Sequence, residues 1–115
     1  MDTKGSVVQA VQSCHRAMVW FIPQIDKFPR NRRFTLGERL EAGLLDVLSL
    51  LVEASYTSRG KSRLLEQANT GLTVVRHLWR MAFELKVVAE KQYHHGSKLL
   101  VGIGQQVGAW LKSSV

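Results

Sequence analysis

The sequence predicts an all-α protein folded as an antiparallel up-down-up-down four-helix bundle. Three observations predict it. Apolar residues recur at steps of three and four along four long stretches. No stretch alternates apolar and polar residues between turn signals, and neither hairpin dipeptide, Asn-Gly nor Asp-Gly, occurs. The connections between the stretches are short, which makes consecutive helices antiparallel neighbours. A chain of 115 residues suits one domain, 1–115, with a core that needs no disulfide or metal staple. Its hydrophobic content of 45% excludes a disordered chain.

The first helix is expected over 7–26, with Val8, Val11, His15, Met18, Ile22 and Ile25 as its stripe. Pro23 lacks a backbone donor and crowds the carbonyl of Val19, so the helix kinks or ends there. The second helix opens at Thr35-Leu36-Gly37-Glu38, which reads as a capping box with Thr35 as N-cap and Glu38 as its return partner. Leu36, Leu40, Leu44, Val47, Leu51 and Ala54 form its stripe. Ser58-Arg59-Gly60-Lys61-Ser62 is the next turn. The third helix carries Leu65, Ala68, Leu72, Val75, Trp79 and Ala82, the most regular repeat of the four. A short corner is expected over 87–90. The fourth helix then uses Tyr93, Leu100, Ile103, Val107, Trp110 and Leu111.

The apolar residues exceed what one bundle buries. Leu45, Leu48, Leu50 and Val52 add to the stripe of helix two, and Val19, Trp20 and Phe21 to that of helix one. Gly104 and Gly108 stand four apart on helix four, where they could admit a neighbouring backbone. A homo-oligomer is the expectation from this excess.

The charge narrows the partner. With 16 Lys+Arg against 9 Asp+Glu the formal net charge is +7, which points to a polyanionic partner. No apolar stretch reaches the roughly 18 residues of a membrane span, so no membrane role is expected. The opening Met1-Asp2-Thr3-Lys4 has no basic-then-apolar leader, and the lone Cys14 cannot form an internal disulfide. Both suit a cytoplasmic protein.

Catalytic and metal chemistry find no motif. A di-iron bundle needs Glu-x-x-His on two helices, which the sequence lacks. His94 and His95 are adjacent and diverge by about 100° on a helix, so they cannot chelate one ion. His15 and His77 are isolated. Cys14 reads as a packing residue. Gly102-Ile103-Gly104 begins a dinucleotide fingerprint, but the third glycine falls one place late at Gly108 and no strand precedes it. The expectation is a protein with no catalytic residue, cofactor or metal.

The basic residues form three groups. Arg30, Arg32, Arg33 and Arg39 surround the entrance of helix two, and Arg59, Lys61 and Arg63 the next corner. Arg76 and Arg80 stand four apart on helix three beside His77, with no acid expected close on that face. Like charges at this spacing repel by a few tenths of a kcal/mol, so an external anion is one explanation. Arginine forks suit phosphates or carboxylates. The plain alternative is a solvated face pairing with Glu84 and Glu66. Nothing reads as a helix-turn-helix or a single-strand groove, so a nucleic acid would be held by its phosphates, RNA and DNA alike, without sequence preference.

The segment Phe28-Pro29-Arg30-Asn31-Arg32-Arg33-Phe34-Thr35-Leu36-Gly37-Glu38-Arg39-Leu40 resembles the signature of a small four-helix-bundle family. That family includes the accessory variability determinant (Avd) proteins of diversity-generating retroelements and proteins encoded in intervening sequences of bacterial large-subunit ribosomal RNA genes. Leu65-Glu66-Gln67-Ala68-Asn69, the Arg76 and Arg80 pair, Glu90-Lys91-Gln92-Tyr93 and Gly108-Ala109-Trp110-Leu111-Lys112 are similar to the family too. The spacing of Pro23 and Pro29 and the basic balance lean toward the Avd branch.

The resemblance implies a non-catalytic homopentamer shaped like a short barrel. It implies binding of the retroelement's reverse transcriptase, template RNA and complementary DNA in support of mutagenic copying. The other branch implies a protein that binds ribosomal RNA or nothing. For partner contact the candidates are first Arg76 and Arg80, whose side chains flank the core stripe, then Arg30, Arg32 and Arg33. Arg39 either joins them or braces the corner between helices one and two. Gly71, Gly96 and the pair His94-His95 depart from the family and allow local helix breaks.

Overall fold

A computed structural model describes the backbone of residues 3–114 and the side chains of residues 9–114. The chain forms four long helices, α1 (Thr3–Asp26), α2 (Glu38–Ser55), α3 (Lys61–Glu84) and α4 (Glu90–Ser113). No strand occurs among the described residues. Consecutive helices pack on one another, and α1 also meets α4, which closes a square of four antiparallel helices measuring 44 × 22 × 19 Å. The all-α up-down-up-down bundle is therefore the fold.

The core follows the predicted stripe most closely on α3. Leu65, Ala68, Leu72, Val75, Trp79 and Ala82 are all buried, and α2 buries Leu40, Leu44, Val47, Leu51 and Ala54. On α4 the buried set is Gly96, Leu100, Ile103, Val107 and Trp110, with Tyr93 and Leu111 only half-buried.

Helix α1 is rotated from its predicted face. Its buried residues are Ala10, Cys14, Ala17, Met18, Phe21 and Ile25, while His15 is exposed and Val11 and Ile22 are half-buried. Val8 lies outside the described side chains. The buried face carries the small residues Ala10, Cys14 and Ala17 together with the bulky Phe21, all without solvent exposure. Phe21 makes edge-to-face contacts with Trp20 (5.0 Å between ring centroids) and Trp79 (4.8 Å).

Pro23 neither ends nor replaces the last turn of α1, which runs on to Asp26. Only one backbone bond is lost there. It belongs to the carbonyl of Val19, a residue 64% exposed, where water can take the missing donor's place.

The entrance to α2 departs most from expectation. Helical backbone resumes directly after Pro29, whose carbonyl accepts bonds from the amides of Arg32 (2.8 Å) and Arg33 (2.9 Å). A short turn, Arg30–Arg32, leads into a π-helical turn, Arg33–Gly37, that merges with α2. Thr35 therefore sits inside the helical run and caps nothing. Its hydroxyl donates backwards to the carbonyls of Asn31 (3.3 Å) and Arg32 (3.4 Å), so the predicted capping box does not form.

Gly37 explains how the turn fits: a Cβ there would lie 3.0 Å from Ile25 and 3.4 Å from Phe28. The absent side chain lets the π-helical turn lie against the end of α1.

The corner between α3 and α4 lies over residues 85–89, slightly earlier than predicted. Lys86 adopts a left-handed conformation (φ 62°), and the Val87 amide donates to the carbonyl of Ala82 at 2.8 Å, which satisfies the end of α3. Gly71 and Gly96 interrupt neither helix. A Cβ on Gly96 would lie 2.7 Å from three atoms of the Trp79 indole, so the glycine makes room for a tryptophan.

Candidate partner interface

Antiparallel packing brings the arginines of the α2 entrance and those of α3 into the same half of the bundle. The π-helical turn and the start of α2 lie beside the C-terminal end of α3, and the corner carrying Arg59, Lys61 and Arg63 lies at the opposite end. Around the α2 entrance, Arg30, Arg33 and Arg39 are exposed and Arg32 is half-buried. The Arg33 guanidinium stands 5.5 Å from the centroid of the Phe34 ring, a cation–π distance.

Arg76 and Arg80 occupy the side of α3 that faces α4. A groove of about 380 Å³ runs between these helices, lined by Thr73, Arg76, His77 and Arg80 on one wall and Tyr93 and Ser97 on the other. Spacings of three and four put the first four residues in one row, which is why α3 supplies two guanidiniums and an imidazole to one wall.

A hydrogen bond and ring stacking join the side chains at the floor of the groove. Trp79 donates from Nε1 to the backbone carbonyl of Tyr93 at 3.0 Å, and the Tyr93 ring stacks on Phe83 with centroids 4.4 Å apart. The Tyr93 ring also lies parallel to Trp79, at 6.5 Å.

One expectation needs correcting here. Arg80 does have an acid on its face: its Nε donates to Glu84 Oε2 at 2.9 Å. Both side chains are well exposed, so the pair is worth only roughly 0.3–0.5 kcal/mol and an external anion can compete for the guanidinium. Among the described residues no ion pair engages Arg76, Arg30, Arg32, Arg33 or Arg39.

Arg39 lies on the α3 side of α2, where it lines a surface notch with Arg32, Phe34, Leu36, Met81 and Leu85. The arginines thus fall into two places: Arg76 and Arg80 in the α3–α4 groove, and Arg32 and Arg39 in the α2–α3 notch.

Sequence reading missed the apolar half of the notch and the α4 wall of the groove. Met81 and Leu85 stand four apart off the core stripe of α3, and that spacing was the available signal. Tyr93 and Ser97 carry no local signal, because their role depends on how α4 packs against α3.

The remaining chemistry-bearing residues have structural settings. Burial pushes the Cys14 thiol up from 9.0 to about 12, which leaves it protonated and unreactive at neutral pH. His94 lies 3.5 Å from Glu90 on the same helix, and His95 packs against Trp20 with ring centroids 4.8 Å apart. No group of three or more His, Cys, Asp or Glu side chains converges on a common point among the described residues. No described helix is long and apolar enough to cross a membrane.

A comparison with curated proteins finds no match. A family model described as bAvd-like matches residues 8–114, which takes in all four helices' core stripes, the α2 entrance and both arginine groups. This chain belongs to the bAvd-like family.

Proposed function

We propose that the protein is the non-catalytic accessory subunit of a diversity-generating retroelement. In this reading it assembles as a homopentameric barrel in the cytoplasm, engages the element's reverse transcriptase, and holds template RNA and complementary DNA without base preference. Family membership supports the accessory role.

The observation that carries the nucleic-acid part is a concentration of arginines in one half of the bundle, of which only Arg80 has a carboxylate partner among the described residues. Guanidiniums left to solvent can take phosphate oxygens in pairs. The groove beside them offers no recognition helix and no exposed aromatic face for stacking, since Tyr93 is already stacked on Phe83. Binding by backbone phosphates is the chemistry that remains.

The test is a double variant, Arg76→Ala with Arg80→Ala, compared with the parent for RNA affinity and thermal unfolding. The reading expects affinity to fall roughly uniformly across RNA sequences, since the lost contacts are to phosphates. Stability should change by less than about 0.5 kcal/mol, because the only pair lost is a surface one. Unchanged RNA affinity in a folded variant would remove the groove from the interface.

A further inference from the structure

The α2–α3 notch differs in kind from the α3–α4 groove. It is a depression of about 500 Å³ with an apolar floor, and its exposed members Phe34 (58%), Leu85 (51%) and Met81 (46%) are large side chains left to water. Arg32 and Arg39 stand at its rim, with Glu38 as the one carboxylate lining it. The π-helical turn produces this arrangement: the wider turn places Arg32, Phe34 and Leu36 on the same side as Arg39, facing the end of α3.

A phosphodiester strand gains little from covering thioether and isobutyl groups. A polypeptide that brings apolar side chains to the floor and carboxylates to the rim satisfies both halves. We infer that this notch docks a short segment of another protein in which apolar residues alternate with acidic ones. Phe34, Met81 and Leu85 take its apolar side chains, while Arg32 and Arg39 take its carboxylates. The inference extends the partner reading above to a specific surface and stands independently of its nucleic-acid part. Charge complementarity commits the occupant to acidic chemistry, since the notch offers two guanidiniums against one carboxylate. The buried floor supplies most of the affinity, as apolar anchors do at protein interfaces.

A fluorescein-labelled synthetic helical peptide with leucines at i, i+4 and i+7 flanked by glutamates serves as the probe. It is titrated at physiological salt into the full chain and into a Met81→Gln, Leu85→Gln variant. Both substituted residues are exposed, so the variant keeps its fold, which far-UV circular dichroism checks. The expected result is binding about tenfold tighter than that of a control peptide with alanines for leucines, lost about tenfold in the variant. The variant's affinity for decauridylate should match the parent's, which keeps this test separate from that of the groove.

Three results would overturn the inference. Equal binding of the alanine control would remove the apolar floor from recognition. Displacement of the peptide by decauridylate would assign the notch to nucleic acid. A drop in the variant's mass by light scattering would assign it to a second copy of this chain.

Discussion

At Lys86 the chain adopts a conformation that costs an L side chain roughly 1 kcal/mol, in order to close the end of α3. Glycine bears no such cost, and Lys86 makes no ion pair among the described residues that would be lost. Lys86→Gly should therefore raise stability by about 0.5–1 kcal/mol, read as a higher urea midpoint. Gly96 is the opposite case. Alanine is the better helix former, yet its Cβ would meet the Trp79 ring at 2.7 Å. Gly96→Ala should lower stability by about 1–3 kcal/mol and disturb the near-ultraviolet signal of Trp79.

Cys14 gives a pH test with a definite sign. The folded thiol titrates near 12 against 9.0 for a free one, so folding disfavours the thiolate. Its contribution is fully present below pH 9 and is lost as pH rises from there toward 12. The parent should lose stability more steeply over that window than Cys14→Ala, in paired urea titrations at each pH.

At the scale of the elements, α3 was legible because its six-membered stripe is unbroken and its off-stripe positions are mostly polar. Helix α1 was legible only in part: Met18 and Ile25 of its predicted face stay in the core, while Val11 and Ile22 move to its edge and His15 to the surface. The buried face of α1 includes the small residues Ala10, Cys14 and Ala17, which a search for large aliphatic side chains undervalues. The α2 entrance misled for a related reason. Thr35 and Glu38 have the spacing of a capping box, but a helix that has already begun at Arg30 leaves no free amide for Thr35 to cap. The two accounts of Thr35 predict different costs. A capping role would make Thr35→Ala cost about 1 kcal/mol. The long, exposed bonds actually present predict less than about 0.5 kcal/mol in the same chemical unfolding experiment.

At the scale of the whole molecule, the sequence made the fold, the arginines and the family resemblance legible. It did not show how the arginines are shared out. Antiparallel packing of α2 on α3 joins Arg32 and Arg39 to Met81 and Leu85, residues more than forty positions away in the chain. The seam of α3 and α4 puts Arg76 and Arg80 opposite Tyr93 and Ser97. Neither grouping is encoded in any local spacing, so neither could be read before the helices were placed. Both lie in the same half of the bundle, and in a ring of copies they would repeat around the assembly.

Multiple phosphate contacts make affinity fall steeply with salt, whereas contacts to a few protein carboxylates do so only weakly. The most direct test of the central claim is therefore the affinity of the purified protein for a generic RNA and a generic DNA duplex, titrated from low to physiological salt. Light scattering on the same sample gives the subunit count. The account predicts a linear fall of log affinity with log salt, steep enough for several phosphates, similar for unrelated sequences, and shown by a pentamer. No binding even at low salt would contradict it and return the arginines to a protein partner or to water.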